Sequence, residues 1–295
     1  MKLIESKVEI IEQQPGLEGV YKQIELAGRT CYKSENLITE TSGVDFTRRI
    51  MSYNHGSVLE HAYLAFKVDE NLYNQIDKKH YPFFVTSNIT YPIVSFNFRA
   101  FYNTYLNYED ECLHPIYKFM EEAYPELFKL KHSSSNEVVL ITKEELMKLT
   151  TEEKDLHLSI TIKFITDRGV THELVRHRLA SFAQESTRYC NYGKEKFAHE
   201  ITFVETHGMN ENQKKIWKTA MENAEMAYFD MLDNGAPAEV CRSVLPNSLK
   251  TEIVVTATMK EWKIIFDLRC SPAAHPDIRF LMIDTRDYFL SKEYL

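Results

Sequence analysis

The chain has no long apolar run, no paired cysteine spacing and no surplus of basic residues, and each lack removes a class of function. Its opening residues, MKLIESKVEIIEQQPG, hold no apolar stretch long enough for a signal peptide or a membrane span, so neither is expected. The five cysteines, Cys31, Cys112, Cys190, Cys241 and Cys270, are scattered, odd in number and nowhere spaced as CxxC. A reduced cytoplasmic protein without structural zinc is the natural expectation. With 35 Lys and Arg against 43 Asp and Glu, the formal net charge is −8. That balance speaks against a general nucleic-acid binder, since such proteins carry a basic surplus. No internal repeat or extended low-complexity tract interrupts the chain.

What is present fits a globular protein. A hydrophobic share of 44% in 295 residues is enough to bury a sizeable core, as one large domain or two small ones. Residues 5–11 read as a short edge strand that leaves at Pro15-Gly16. Apolar residues recur at helical spacing from Leu17 to Thr30, ending near Ala27-Gly28. A second helix covers about 45–53, stopped by Asn54-His55-Gly56, and 61–68 alternates as a strand. Residues 69–105 mix Pro82 and Pro92 with aromatics, and Asn97-Phe98-Arg99 opens a helix. Helical spacing returns over 108–130, interrupted by Pro115 and Pro125. The serine-rich, mixed-charge stretch 131–155 reads as a surface excursion, so an insertion is expected around 108–155.

Residues 156–166, LHLSITIKFIT, give the cleanest strand alternation in the chain. A short strand follows at 200–205. A long amphipathic helix over 210–234 is ended by Gly235, with Ile216, Ala220, Ala224, Tyr228, Met231 and Leu232 on one face. Then come a helix over 237–244, a β-branched strand over 249–258, and helices over 260–268 and 277–290.

The strand at 156–166 runs into the stretch with the densest chemistry, DRGVTHELVRHRLASFAQESTRYCNY, residues 167–192. It gathers Arg176, Arg178 and Arg188, His172 and His177, and the hydroxyls of Ser181, Ser186, Thr187 and Tyr189. A guanidinium is a planar donor fork that clamps phosphate with two hydrogen bonds. Leu174, Val175, Leu179 and Phe182 lie among the charges, which predicts partial burial on a helix leaving the sheet. A buried arginine then requires an anion. A solvated helix face with a polar loop behind it is the plainer alternative.

Arg176-His177-Arg178, with Ser181, Ser186 and Arg188-Tyr189 at their spacing, resembles the RHRxxSxxxxSxRY signature of the flavin-dependent thymidylate synthases. Four further segments are similar to that family's. They are Arg29-Thr30-Cys31-Tyr32, the turn His55-Gly56-Ser57-Val58-Leu59-Glu60-His61, Arg242-Ser243-Val244-Leu245-Pro246, and Leu268-Arg269 followed by Ala274-His275-Pro276-Asp277.

The resemblance implies a single α+β domain over 1–295, a mixed or antiparallel sheet flanked by helices, assembled as a homotetramer with sites across subunit interfaces. It implies reductive methylation of dUMP to dTMP, with FAD as cofactor, methylenetetrahydrofolate as carbon donor and NADPH as reductant. By the same resemblance His55, Ser57, Arg176, His177, Arg178, Gln184, Thr258, Lys260 and Ile264 would hold the flavin. Glu173, Arg176, Gln184, Glu185, Ser186, Thr187, Arg188, Arg242 and Arg269 would hold dUMP, Arg269 polarising the pyrimidine. Thr258-Met259-Lys260 departs from an N-x-R segment of the family, Glu173 from a common Gln, and Ala183-Gln184 from a common Asn-Glu.

Two other classes stay in view. A zinc hydrolase would use His172-Glu173 and His177, but those histidines are five residues apart, about 140° around a helix, where HExxH needs four. His55, Glu60 and His61 likewise lack further metal ligands nearby in sequence. A non-catalytic nucleotide- or RNA-binding module would use the same arginines without a flavin. No cysteine stands beside a histidine, so thiolate attack on a pyrimidine has no support in the sequence.

Overall fold

A computed structural model of the chain describes residues 1–11, 17–53, 55–79 and 88–295. Asn54, Pro82 and the turn at Pro15-Gly16 lie outside the described residues. In chain order the strands are β1 (Lys2–Ile4), β2 (Lys7–Ile11), β3 (Tyr63–Lys67), β4 (Asn88–Thr90), β5 (Ile93–Asn97), β6 (Val139–Leu140), β7 (Ser159–Asp167), β8 (Ser181–Gln184), β9 (Thr202–Val204) and β10 (Lys250–Thr258).

They form an antiparallel sheet β2-β7-β10-β8, a second antiparallel sheet β4-β5-β3-β6, and a parallel pair β1-β9. Helices flank the sheets, so the chain mixes helix and sheet. No helix among the described residues is long and apolar enough to cross a membrane.

β7 and β10 pair over nine residues each, from Lys250↔Asp167 to Thr258↔Ser159, and form the centre of the first sheet. The alternation of β7 puts Ile160, Ile162 and Phe164 on one face, where Ile253, Val255 and Ala257 of β10 join them. That face is covered by helices Met259–Arg269 and Pro276–Ser291, through Trp262, Ile265, Phe266, Ile278, Leu281 and Phe289. The Trp262 indole N–H donates to the Ile160 carbonyl at 3.0 Å, which satisfies the one polar atom of a fully buried ring.

The other face of β7 is buried too, and its polar residues meet partners there instead of water. The Thr161 and Thr256 hydroxyls are 2.8 Å apart, and Thr256 Oγ1 is 2.8 Å from His61 Nδ1. Beyond them lies the core between helix Leu17–Tyr32 and the second sheet, with Ile24, Val58, Phe66, Phe96, Phe98, Phe101 and Val254. Helix Leu17–Tyr32 continues through Gly28, where a Cβ would sit 2.5 Å from the Phe46 ring. The glycine is a close-packing residue, not the expected terminus.

Part of the stretch expected as a surface insertion, 108–155, belongs to this core: Leu113, Ile116, Tyr117, Met120, Tyr124 and Phe128 are buried. Helix His114–Ala123 places Pro115 in its first turn, where the missing N–H costs nothing, so this proline starts the helix that it was expected to interrupt. Val139–Leu140 adds an edge to β3. Helix Glu211–Asp233 has a reciprocal cap from Asn210 and Gln213. It buries Met221 and Tyr228, while Ile216 is 73% exposed, against the face read from its sequence. This helix covers only a shallow cluster around Ile201, Phe203 and Leu249, so a narrow stripe suffices.

Candidate active site

Asp167, the last residue of β7, accepts a hydrogen bond from the Val170 N–H at 2.7 Å and so starts a seven-residue helix, Arg168–Leu174. The helix stops at Leu174. Arg176-His177-Arg178 therefore lie in the turn that follows, not on a helix as expected. The chain must reverse there to pair Ser181 with Thr256 of β10, and buried Leu174 and His177 anchor the turn.

The expected burial of the arginines does not hold. Arg176, Arg178 and Arg242 are exposed and have no ion pair or side-chain hydrogen bond among the described residues. Arg242 lies on a single 3-10 turn, Arg242–Val244. Arg188 is exposed as well, 3.6 Å from the exposed Glu239 and stacked over the Tyr189 ring.

Arg269 alone of the predicted arginines is largely enclosed. From the end of helix Met259–Arg269, its Nη1 donates to Glu173 Oε2 at 2.7 Å and its Nη2 to the Glu173 carbonyl at 2.9 Å. Its Nε–H donates to His177 Nε2 at 3.1 Å. A guanidinium cannot accept, so while this contact is made the imidazole is neutral with its proton on Nδ1. Burial, reinforced by the Arg269 charge, holds His177 below its ordinary value.

The helix Arg168–Leu174 also reaches the other half of the predicted set. The Gln184 amide donates to Thr171 Oγ1 at 2.9 Å and to Thr251 Oγ1 at 3.2 Å. Arg168, which sequence reading did not single out, donates to the Glu185 carbonyl at 3.2 Å and to Thr187 Oγ1 at 3.3 Å. It sits one residue after the capping aspartate, a pattern that reads locally as an ordinary helix start. The Ser186 N–H donates to the Cys31 carbonyl at 3.0 Å, which ties the signature to the first helix.

Glu185 points inward. Its carboxylate accepts from Lys250 Nζ at 3.0 Å and from the Tyr192 hydroxyl at 3.3 Å, so the side chain expected at a nucleotide is committed inside the protein. Next to it, Lys33, Lys163 and Lys250 surround Glu252. Burial disfavours the charged form of Glu252, yet Lys250 and Lys33 hold it far below the usual carboxylate range. Sequence reading missed this network because Lys33, Lys163 and the Lys250-Glu252 pair come from three segments far apart in the chain.

His55 and Ser57 belong to a tight turn ahead of β3. The Tyr32 hydroxyl and His55 Nδ1 are 3.0 Å apart, and the Tyr32 ring meets that of Tyr189 edge-on at 5.5 Å. Three sequence-distant segments thus join through one tyrosine. Arg99 pairs with Glu60 and closes the turn; any Cβ at Gly56 would lie 2.6 Å from its Nε. Asn97 caps the helix Phe98–Asn107 by accepting from the Ala100 N–H at 2.9 Å.

Between this turn and helix Met259–Arg269 runs a cleft lined by Glu60, Tyr63, Asn97, Leu179, Ser181, Thr258, Lys260, Glu261 and Ile264. It brings together the predicted Thr258, Lys260 and Ile264. His172 is exposed on its helix while His177 is buried beyond the helix end, which separates the two histidines considered for zinc. Burial beside Cys190 pushes the Cys31 thiol up to about 12, and burial with Glu185 pushes Cys190 up to about 11.

A cleft of mixed polar and apolar lining, whose Leu179 directly follows the exposed Arg178, is the frame of a site for a charged small molecule. The family model described as "Thymidylate synthase complementing protein" matches residues 12–76 and 116–290, 240 of the 295 residues. This chain belongs to that family. Curated relatives carry the name flavin-dependent thymidylate synthase. That of Geobacter sulfurreducens is 36% identical over 117 residues, 40% of this chain and 50% of the relative. That of Pyrococcus furiosus is 34% identical over 112 residues, 38% and 46% of the two chains. That of Saccharolobus solfataricus is 37% identical over 112 residues, 38% and 42%. The chain thus spans about half the length of the curated relatives it matches. A solved UMP/dUMP methylase from Streptomyces cacaoi aligns over 99% of this chain and 93% of its own, at 15% identity and TM-score 0.44, a likeness too slight to bear on fold or activity.

Proposed function

We propose that the protein converts dUMP to dTMP as a flavin-dependent thymidylate synthase, the whole chain acting as one domain of that type. The observation that carries this reading is the set of guanidinium groups in the matched segments. Arg176, Arg178 and Arg242 are exposed without carboxylate partners among the described residues, while Arg269 is held by Glu173 and His177. Free guanidinium forks suit phosphate groups, and two of them, Arg176 and Arg178, directly follow one short helix.

The residues fit a flavin dinucleotide. Arg176 and Arg178 would take its diphosphate, and Ser181, Thr258, Lys260 and Ile264 offer polar and apolar contacts along the cleft, while His55 and Ser57, in the turn that leads to Glu60 of the lining, would add theirs. FAD, when bound, would supply a hydride, with methylenetetrahydrofolate giving the carbon and NADPH restoring the reduced flavin. The protein's own part is to bind and orient. Arg188, Arg242, Ser186 and Thr187 would anchor the dUMP phosphate, and Gln184 and Glu173 would face the nucleotide. The Arg269 guanidinium would favour negative charge as it develops on the pyrimidine. The raised thiols of Cys31 and Cys190 argue against a thiolate nucleophile at neutral pH.

The reading includes a cytoplasmic homotetramer that completes its sites across subunits and binds no nucleic acid. Exposed Leu179 and Ile264 in the cleft, Leu268 on the same helix as Ile264, and Ile216 and Met226 on the long helix support self-association. The test is an absorption spectrum of the purified protein together with a dUMP methylation assay containing methylenetetrahydrofolate and NADPH. A folded preparation that takes up no added FAD and forms no dTMP refutes the proposal.

A further inference from the structure

Three Thr-x-x-Glu sequences begin helices in this chain, and two of them behave alike. Thr142 with Glu145, and Thr150 with Glu153, close reciprocal capping boxes. The third, Thr258 with Glu261, opens helix Met259–Arg269 and makes no side-chain cap at all. Glu261 turns away from its own helix end. Its side chain is 7% exposed, lines the cleft, and places Oε1 3.7 Å from Nδ1 of His177.

A buried carboxylate normally has hydrogen-bond donors around it. Glu261 has none among the described residues, and burial raises its carboxyl above the ordinary value. Forgoing the cap and giving up most of its contact with water both cost stability, so the placement calls for a donor. His177 provides one. Because Arg269 donates to Nε2, the imidazole proton must sit on Nδ1, the nitrogen that faces Glu261. Protonating both nitrogens would set an N–H against the Arg269 N–H, beside a second positive charge.

We infer that Glu261 is a positioning residue: it accepts the Nδ1–H of His177 and thereby holds the Nε2 lone pair on Arg269, fixing the guanidinium in the cleft. The separation of 3.7 Å is too long for a hydrogen bond, so a shift of under 1 Å in the exposed turn at Arg176 and Arg178 completes the contact. The order is Glu261, His177, Arg269, Glu173: a carboxylate at each end and one defined tautomer between. The part concerning catalysis rests on the proposed methylation of dUMP; the tautomer does not.

The experiment is long-range proton–nitrogen NMR of histidine-labelled protein, with His177→Gln to assign the signal, on the wild type, Glu261→Met and Glu261→Gln. In the wild type at neutral pH, His177 is expected as the Nδ1–H tautomer alone. Glu261→Met keeps the volume but offers no oxygen acceptor, and should mix tautomers or broaden the signal. Glu261→Gln keeps an acceptor oxygen and should retain Nδ1–H. In the methylation assay Glu261→Met should lose kcat by about ten- to hundredfold, as for groups that orient a functional side chain, with the nucleotide KM within about threefold. Glu261→Gln should recover most of the loss.

A methionine variant with the wild-type tautomer and kcat overturns the inference. So does a wild type with the proton on Nε2. If Glu261→Met does not fold, loss of Nδ1–H in Glu261→Gln overturns it instead. A wild type with the expected tautomer but no methylation defeats the functional proposal alone.

Discussion

Replacing Arg269 by alanine separates what this residue does for the fold from what it does for chemistry. The substitution removes three hydrogen bonds, to His177 Nε2, Glu173 Oε2 and the Glu173 carbonyl. The side chains of Arg269 and Glu173 are 18% and 29% exposed, so water enters and rehydrates the carboxylate. The stability loss is then about 1–3 kcal/mol, between the values of surface and buried ion pairs. The catalytic loss should be larger in effect. If the guanidinium meets charge that develops on the pyrimidine, kcat should fall by roughly 2–4 kcal/mol of barrier, about thirty- to a thousandfold. Arg269→Lys should rescue only part, since an ammonium lacks the planar fork. The control is Arg188→Ala: an exposed arginine 3.6 Å from an exposed carboxylate contributes little to stability, so this variant should melt as the wild type and raise the nucleotide KM. The assay is steady-state kinetics with varied dUMP, after circular dichroism and flavin content have been matched. An Arg269→Ala enzyme altered in KM alone would show anchoring and refute activation.

Two further outcomes are expected. Alanine at Cys31 or Cys190 should leave dUMP methylation within about tenfold, about 1.4 kcal/mol, because thiols raised by burial are not nucleophiles at neutral pH; a loss of several orders in a folded variant would restore a thiolate mechanism. Stability should fall with acid through His61, which burial pushes down to about 3 from an ordinary 6.5. Between those values the unfolded chain binds a proton that the folded chain does not, so stability drops as pH falls below about 6.5. The slope is about 1.4 kcal/mol per unit, or about 2 kcal/mol between pH 7 and 5. Urea unfolding of the wild type and His61→Gln at both pH values checks this; equal losses in the two proteins would contradict it.

Sequence by itself determined the elements whose physics is local. The period-two pattern of 156–166 gave β7 and its core face, since alternate side chains leave opposite sides of a strand. The helix read over 210–234 is there as Glu211–Asp233, with Gly235 at φ +85° just past its end. The dense run of arginine and hydroxyl groups over 167–192 lies inside the segments that the family model matches.

Tertiary structure decided everything that depends on pairing at a distance. Arg269 lies 92 residues from His177 and 96 from Glu173, and they meet because β7, β8 and β10 are neighbours in one sheet, with a helix leaving each of β7 and β10. No periodicity in any one of those segments carries that information. The polar face of β7 reads as a solvated face in sequence, yet helix Leu17–Tyr32 and the second sheet cover that side and leave it a buried network. Exposure of Arg176 and Arg178 follows from where the helix stops, a matter of the reversal into β8. Glu261 is the sharpest case. In sequence it is the fourth residue of a capping box, and only the approach of His177 from another element turns it into the cleft. Local pattern chooses helix or strand through the backbone and the nearest side chains; which charges end up sharing a site is set by the long-range contacts that close the core.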